Sequence, residues 1–248
     1  MANYIHPDTF IGENVTFGYN CIVEAGVRIE NNVTIGHNVI IYADTAIGEG
    51  SIIHDNVVIG KKPMRAARSI MKEQKHYEPA VIGARVTIGT NAVIYAQSKL
   101  EDEVFVADLA TVRENVSIGK QTIIGRNVAV ENESTVGAYC KIETNAYITA
   151  FSTIEDYVFV APGVVTSNDN FIGRTEKRFA EFKGCTIRRG GRVAANATLL
   201  PGVVVEPEAV VGAGSVARKT LKSGIIYVGN PARELRAVDP EQQLSESE

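Results

Sequence analysis

The chain has 248 residues, a formal net charge of −4 at pH 7, and a composition that is 45% hydrophobic but only 7% aromatic. It has no run of about 18 apolar residues to span a bilayer, no basic, apolar leader at its Met-Ala-Asn-Tyr-Ile-His start, and no metal or disulfide spacing among Cys21, Cys140 and Cys185. These features argue against a membrane span, a secreted disulfide scaffold and a cysteine metal site, and lead us to expect a cytoplasmic protein.

From the N-terminus, an apolar residue returns every sixth position from Ile5 through Ile11, Phe17, Val23, Ile29, Ile35, Ile41, Ile47 and Ile53 to Ile59. The beat resumes at Ile82 and holds to Val160, then returns from Ile187 to Val211. A period of six fits neither a helix nor a long strand. It fits a short-repeat solenoid, in which each hexad forms one side of a coil and buries its apolar residue only by stacking. Three places after the beat come Asn14, Asn20, Gly26, Asn32, Asn38, Asp44, Gly50 and Asn56. These residue types enter left-handed corner conformations at least cost. Four places after it come small residues, including Val15, Cys21, Val27, Thr45 and Ser51, which marks a second inward position and makes the cysteines structural. Twenty-nine hexads in threes predict about ten coils in an all-β, three-sided parallel prism roughly 45 Å tall.

The beat lapses over about 61–80 and again over about 171–186. Both stretches are predicted to be outward loops of a single domain spanning 1–236. The tail 237–248 has little to bury and is expected to be disordered.

The last third of the chain reads RRGGRVAANATLLPGVVVEPEAVVGAGSVARKT and is followed by Val228-Gly229-Asn230-Pro231-Ala232. With the hexad beat, it resembles the hexapeptide-repeat acyltransferases. That likeness implies a left-handed β-helix and a homotrimer with active sites between subunits. It also implies an acyl-CoA co-substrate, most simply acetyl-CoA, and no metal. The segment from Cys140 to Phe171 is similar to N-acetyltransferases acting on nucleotide-linked 3-amino sugars. This narrower resemblance implies that Asn168 lies near the sugar amine.

The charge pattern suits such ligands. Residues 61–78 and 171–189 each hold six basic residues against two acidic ones, on a body that is otherwise acidic. Two basic loops on an acidic tower suit polyanionic small ligands such as coenzyme A and a nucleotide sugar. No basic stripe indicates nucleic acid. Asn168 and Asp169 are the catalytic candidates; Glu143, Tyr147 and Arg174 are candidates for binding the acceptor. Small outward residues, Ala194, Ala195, Ala213 and Gly214, would admit a pantetheine arm, with Arg218, Lys219 and Pro231 beside it. His6, His37 and His54 sit in the first three coils, too far from that motif to act as a base, and they read as solvated outer-face residues. Two other readings stay open: an amino-acid acceptor such as tetrahydrodipicolinate or a sugar hydroxyl, and a non-catalytic scaffold. A zinc enzyme of the γ-carbonic anhydrase type is disfavoured, because no two histidines are close in sequence and none lies past position 76.

Overall fold

The computed structural model describes residues 2–64, 66–67 and 76–245. Each hexad read from the sequence forms a short strand containing its beat residue, beginning Tyr4–Ile5, Phe10–Ile11 and Thr16–Phe17. Up to the terminal hairpin, strands pair in parallel with the third strand along the chain, as Ile22 and Val23 do with Ile40 and Ile41. Three sheets result. Face A starts at Tyr4–Ile5 and has 11 strands; face B starts at Phe10–Ile11 and has 10; face C starts at Thr16–Phe17 and has 12. The body is therefore a parallel β-helix of ten complete coils and a partial eleventh, consistent with the left hand that the resemblance implies.

Two beats are not legible in the sequence. The strands Val165–Thr166 and Val216–Ala217 keep the period, but their inward residues are Thr166 and Ala217, 1% and 0% exposed. The beat is a requirement for burial rather than for large branched side chains. A buried Thr is tolerated here because the Thr166 hydroxyl donates to the Tyr147 carbonyl at 3.1 Å and accepts from the Thr149 N–H at 2.7 Å.

The second inward position also holds. Val27, Val33, Val39, Thr45, Ser51 and Val57 are all buried, and so are Cys21, Cys140 and Cys185. Burial raises the pKa of all three thiols, to about 11 for Cys140 and Cys185.

The predicted corner residues Asn14, Asn20, Asn32, Asn38, Asp44 and Asn56 all take left-handed backbone. Their side chains form ladders: Asn20 donates to Asn38, and Asn38 to Asn56, at 3.1 Å each. Later coils place bulky residues in the same conformation, with φ of 63° at Leu109, 58° at Tyr139, 65° at Phe151 and 59° at Tyr157. Such residues cost about 1–2 kcal/mol each in this region. Stacking offsets part of that at Tyr139 and Tyr157, whose rings lie 4.8 Å apart with Lys120 and Arg189 over the outer ends.

The two ends of the tower differ. In the first coil Phe10 and Ile11 are exposed. At the other end Ile225–Val228 adds to face C and turns back through an antiparallel strand, Arg233–Ala237, over buried Leu221 and Tyr227. The tail after it is described as far as residue 245, and 246–248 lie outside the described residues. Val238 is buried and donates its N–H to Gly224 O at 2.8 Å, a 3-10 turn spans Pro240–Gln242, and the Leu244 N–H reaches Glu208. One apolar residue in the right place, Val238, is enough to hold a segment whose composition is polar.

Candidate active site

The two insertions leave the tower at the same edge. The first follows Val58–Lys61 of face A and returns at Val81–Ile82 of face B. The second follows Val165–Thr166 of face A and returns at Thr186–Ile187 of face B. They lie five coils apart, about 24 Å at the usual strand spacing, and bracket four face-A strands along the edge shared with face B. Of the first insertion's basic residues, Lys61 and Lys62 are described, while Arg65, Arg68, Lys72 and Lys75 lie outside the described residues. In the second, Arg174 and Lys177 are exposed, and a short helix spans Arg178–Glu181. Arg188 and Arg189 belong to the tower instead. Arg188 pairs with Glu155 and Glu206 at 2.9 and 3.1 Å, and Arg189 lies over Tyr157 at 4.6 Å. These two guanidiniums brace neighbouring coils, so the basic surplus of that insertion is smaller than the sequence tally implies.

The acceptor candidates gather at this edge, with one exception. Tyr147 points outward from face A in the coil below the second insertion, opposite Val165. Asn168, Asp169 and Arg174 lie in the insertion itself. Glu143 follows the face-C strand Lys141–Ile142 and so stands at the opposite edge of face A.

Asp169 is heavily engaged. Its carboxylate accepts the N–H of Phe171 at 2.8 Å, that of Gly173 at 2.9 Å, and Arg178 Nη1 at 3.1 Å. The Gly173 N–H leads these contacts in holding its pKa below the ordinary carboxylate value. That environment suits an anchor that folds the loop, whereas a base needs a carboxylate that readily takes a proton. Asn168 is different. Its backbone carbonyl receives the Lys183 N–H at 3.1 Å and closes the loop base, while its side-chain amide has no partner among the described residues.

Ala194, Ala195, Ala213 and Gly214 occupy the edge between faces C and A on successive coils, joined where the Gly214 N–H donates to Ala195 O at 2.9 Å. Gly214 has φ of 64°, and a Cβ there would meet nothing within 4 Å. The glycine serves the turn and leaves open surface beside it. Above this edge the Gly-Asn-Pro-Ala segment forms the turn of the terminal hairpin. It is docked by Val216 N–H to Gly229 O at 3.0 Å and Ala232 N–H to Val216 O at 2.9 Å, which sets Pro231 beside the last face-A strand. Arg218 and Lys219 lie at that strand's far end. They line a cleft of about 380 Å³ with Lys222, Tyr227, Arg233 and Glu234. The cofactor candidates thus straddle face A rather than sharing one edge.

Sequence reading missed a second group of polar residues. Tyr95, Arg113, Glu131 and Thr149 each follow a face-A beat residue on four successive coils between the insertions. Arg113 holds Glu114 in a two-point pair at 2.8 and 3.0 Å and reaches Glu131 at 3.2 Å. Its guanidinium lies 4.9 Å from the centre of the Tyr95 ring, with Lys61 Nζ at 5.4 Å from the same ring. Glu114 is 4% exposed. Burial pushes the Glu131 carboxyl above its ordinary pKa, and the Glu114 charge adds to this while Arg113 opposes it. The Tyr147 phenol is pushed up by burial and then by Glu131. A spacing of one coil, eighteen residues, between Arg113 and Glu131 is the signal that could have found the pair.

Two of the histidines have local roles. His6 Nδ1 accepts the Asp8 N–H at 3.1 Å, and His37 Nδ1 accepts the Tyr19 N–H at 2.9 Å while its ring stacks on Tyr19 at 5.4 Å.

Known proteins resemble this one in parts and in overall fold. Residues 26–61 match the model for bacterial transferase hexapeptide (six repeats), and residues 114–150 that for the hexapeptide repeat of succinyl-transferase. The mitochondrial gamma carbonic anhydrase 2 of Arabidopsis thaliana is 42% identical over 65 residues, 25% of this chain and 23% of that protein. The serine acetyltransferase of Buchnera aphidicola subsp. Acyrthosiphon pisum (strain APS) is 32% identical over 95 residues, 36% of this chain and 35% of that one. The chain therefore matches about a quarter to a third of the length of these relatives. Among solved structures, the Arabidopsis UDP-N-acetylglucosamine acyltransferase superposes with a TM-score of 0.65 at 13% identity, over 97% of this chain and 74% of that one.

Proposed function

We propose, taking as premise that this chain is a hexapeptide-repeat β-helix protein, that it is an acyl-CoA-dependent acyltransferase. It moves an acyl group, most simply acetyl, to the amine of a nucleotide-linked 3-amino sugar. In this reading it works as a cytoplasmic homotrimer with sites between neighbouring towers. The observation that carries it is the common edge of the two insertions. An acceptor lying against face A there meets Tyr147, the Asn168 amide, unpartnered among the described residues, and the exposed Arg174 within about two coils. The fold shared with a UDP-N-acetylglucosamine acyltransferase along nearly the whole chain supports acyl transfer and a nucleotide-sugar acceptor.

The geometry supports the following roles. The small residues from Ala194 to Gly214 leave backbone groups open to the amides of a pantetheine arm, with Pro231 at its upper end. Arg218 and Lys219 face phosphate at the cleft. Arg174 faces the acceptor's pyrophosphate, Asn168 orients its amine, and Asp169 fixes the loop that carries both. Glu143, below the pantetheine edge, serves the donor rather than the acceptor. The amine nitrogen attacks the thioester carbonyl, the C–S bond breaks, and coenzyme A leaves as the thiol.

Thiol release from acetyl-CoA, followed with a panel of uridine- and thymidine-linked amino sugars, tests this directly. The expected result is turnover with at least one 3-amino sugar nucleotide, lowered at least tenfold by Asn168→Ala with acetyl-CoA binding retained. A protein that binds no acyl-CoA overturns the reading. The serine acetyltransferase likeness favours a second acceptor class. Turnover with amino acids and none with sugar nucleotides would select it.

A further inference from the structure

The structure assigns a proton-accepting role to Glu131, the carboxylate between the two insertions. We infer that it receives the ammonium of the acceptor and takes its proton before acyl transfer. This rests on the acyl-transfer reading and deepens it.

Charge balance is the first argument. Among the described residues, Arg113 offers one positive charge to two carboxylates, and its two-point fork is committed to Glu114, which is buried. Glu131 receives a longer bond, at 3.2 Å, from the remaining nitrogen. One negative charge in this partly desolvated group is left without a cation of its own among the described residues. Such a group binds a cation or takes up a proton far more readily than a solvated carboxylate does.

Position is the second argument. The Glu131 side chain is 22% exposed, enough for a ligand to reach it. Charged and titratable groups bound it on several sides: Arg113 and Glu114 from the coil below, Tyr147 from the coil above, and Tyr95 with Lys61 further down the same edge. Asn168 lies two coils above, about 10 Å away at the strand spacing. An acceptor sugar lying against Tyr147 occupies that gap, with its amine between the Asn168 amide and Glu131. The donor edge is compatible in height. Ala195 and Ala213 stand about three and four coils above Glu131, roughly 13–18 Å, which an extended pantetheine arm covers between neighbouring towers.

The step balances. The ammonium gives one proton to Glu131, and the neutral amine forms the C–N bond. The C–S bond breaks, the departing thiolate takes the second nitrogen-bound proton, and Glu131 releases its proton to solvent. The desolvation that raises its pKa suits this task, because a base works best when its pKa approaches the working pH.

Glu131→Gln tests the assignment, since it keeps the shape and an acceptor oxygen for Arg113. We expect kcat/KM for the amino sugar to fall about 10²–10⁴-fold, with acetyl-CoA affinity and thermal midpoint unchanged. We also expect the acid limb of the wild-type pH–rate profile, lying above the ordinary Glu value of 4.5, to vanish in the variant. Glu114→Gln should leave that limb in place. A Glu131→Gln protein with wild-type turnover and an unaltered limb overturns the role. A variant whose thermal midpoint and acetyl-CoA affinity collapse along with activity also overturns it, in favour of a structural one. If the wild type acylates no amine at all, the parent reading fails instead, and the two failures are distinguished by that control.

Discussion

At the level of single residues, this protein separates groups that look alike on paper. Asp169 and Glu131 are both acids beside an Arg, yet backbone N–H groups lower the pKa of the first and burial raises that of the second. Asn-Asp-Asn at 168–170 is conspicuous in the sequence, and its Asp accepts two N–H groups of its own loop. Glu131 is not conspicuous, because a charged residue directly after a beat reads as solvated surface. Its Arg partner comes from the preceding coil, eighteen residues earlier, and only a search at that spacing brings the two together. The cysteines are legible, since the slot four places after the beat takes small buried residues throughout. We therefore expect all three thiols to stay silent toward a disulfide reagent at pH 8 in the folded protein. With a pKa of about 11 for Cys140 and Cys185, only about one in a thousand is thiolate at that pH, and none is open to solvent. Reaction of any one at the rate of a free thiol would contradict the buried assignment.

At the level of the strand and corner, the hexad is two residues of sheet and a left-handed turn. The sequence exposes it wherever Ile or Val marks the beat and Asn or Gly marks the corner. It hides the hexads that end on Thr166 and Ala217, because burial there is met by a hydroxyl bonded to backbone or by a small side chain. Leu109 is the clearest departure at a corner. It is exposed, has φ of 63°, and stands between Asn91 and Asn127 in its column. An Asn at that place relieves the left-handed penalty and allows side-chain ladder bonds like that from Asn127 to Asn145 at 2.9 Å. Leu109→Asn should therefore stabilise the protein by about 1 kcal/mol, read as a raised denaturation midpoint. A lowered midpoint would mean that packing by the Leu side chain outweighs the backbone cost.

At the level of the whole molecule, each coil is held by its two neighbours, so stability is distributed as in a one-dimensional stack. The first coil has a neighbour on one side only and exposes Phe10 and Ile11. The last is closed by the hairpin over Leu221 and Tyr227. Amide exchange should accordingly be fastest in the first coil and slow markedly by the third, while the C-terminal coils stay protected. Equal protection at both ends would show that the hairpin adds little. The sequence foretold the tower, its three sides and nearly its height. The closing cap was hidden because its buried residues, Leu221 and Tyr227, fall off the six-residue beat that ends at Ala217.

Because both excursions depart from and rejoin one corner, the stack beneath registers neither their length nor their content. Each begins where a face-A strand ends and finishes where a face-B strand begins, so the phase of every later rung is preserved. On the reading proposed above, a scaffold wired in this way can exchange its acceptor by grafting at that corner, while the small-residue edge on the neighbouring corner, built into the rungs, continues to take the same donor.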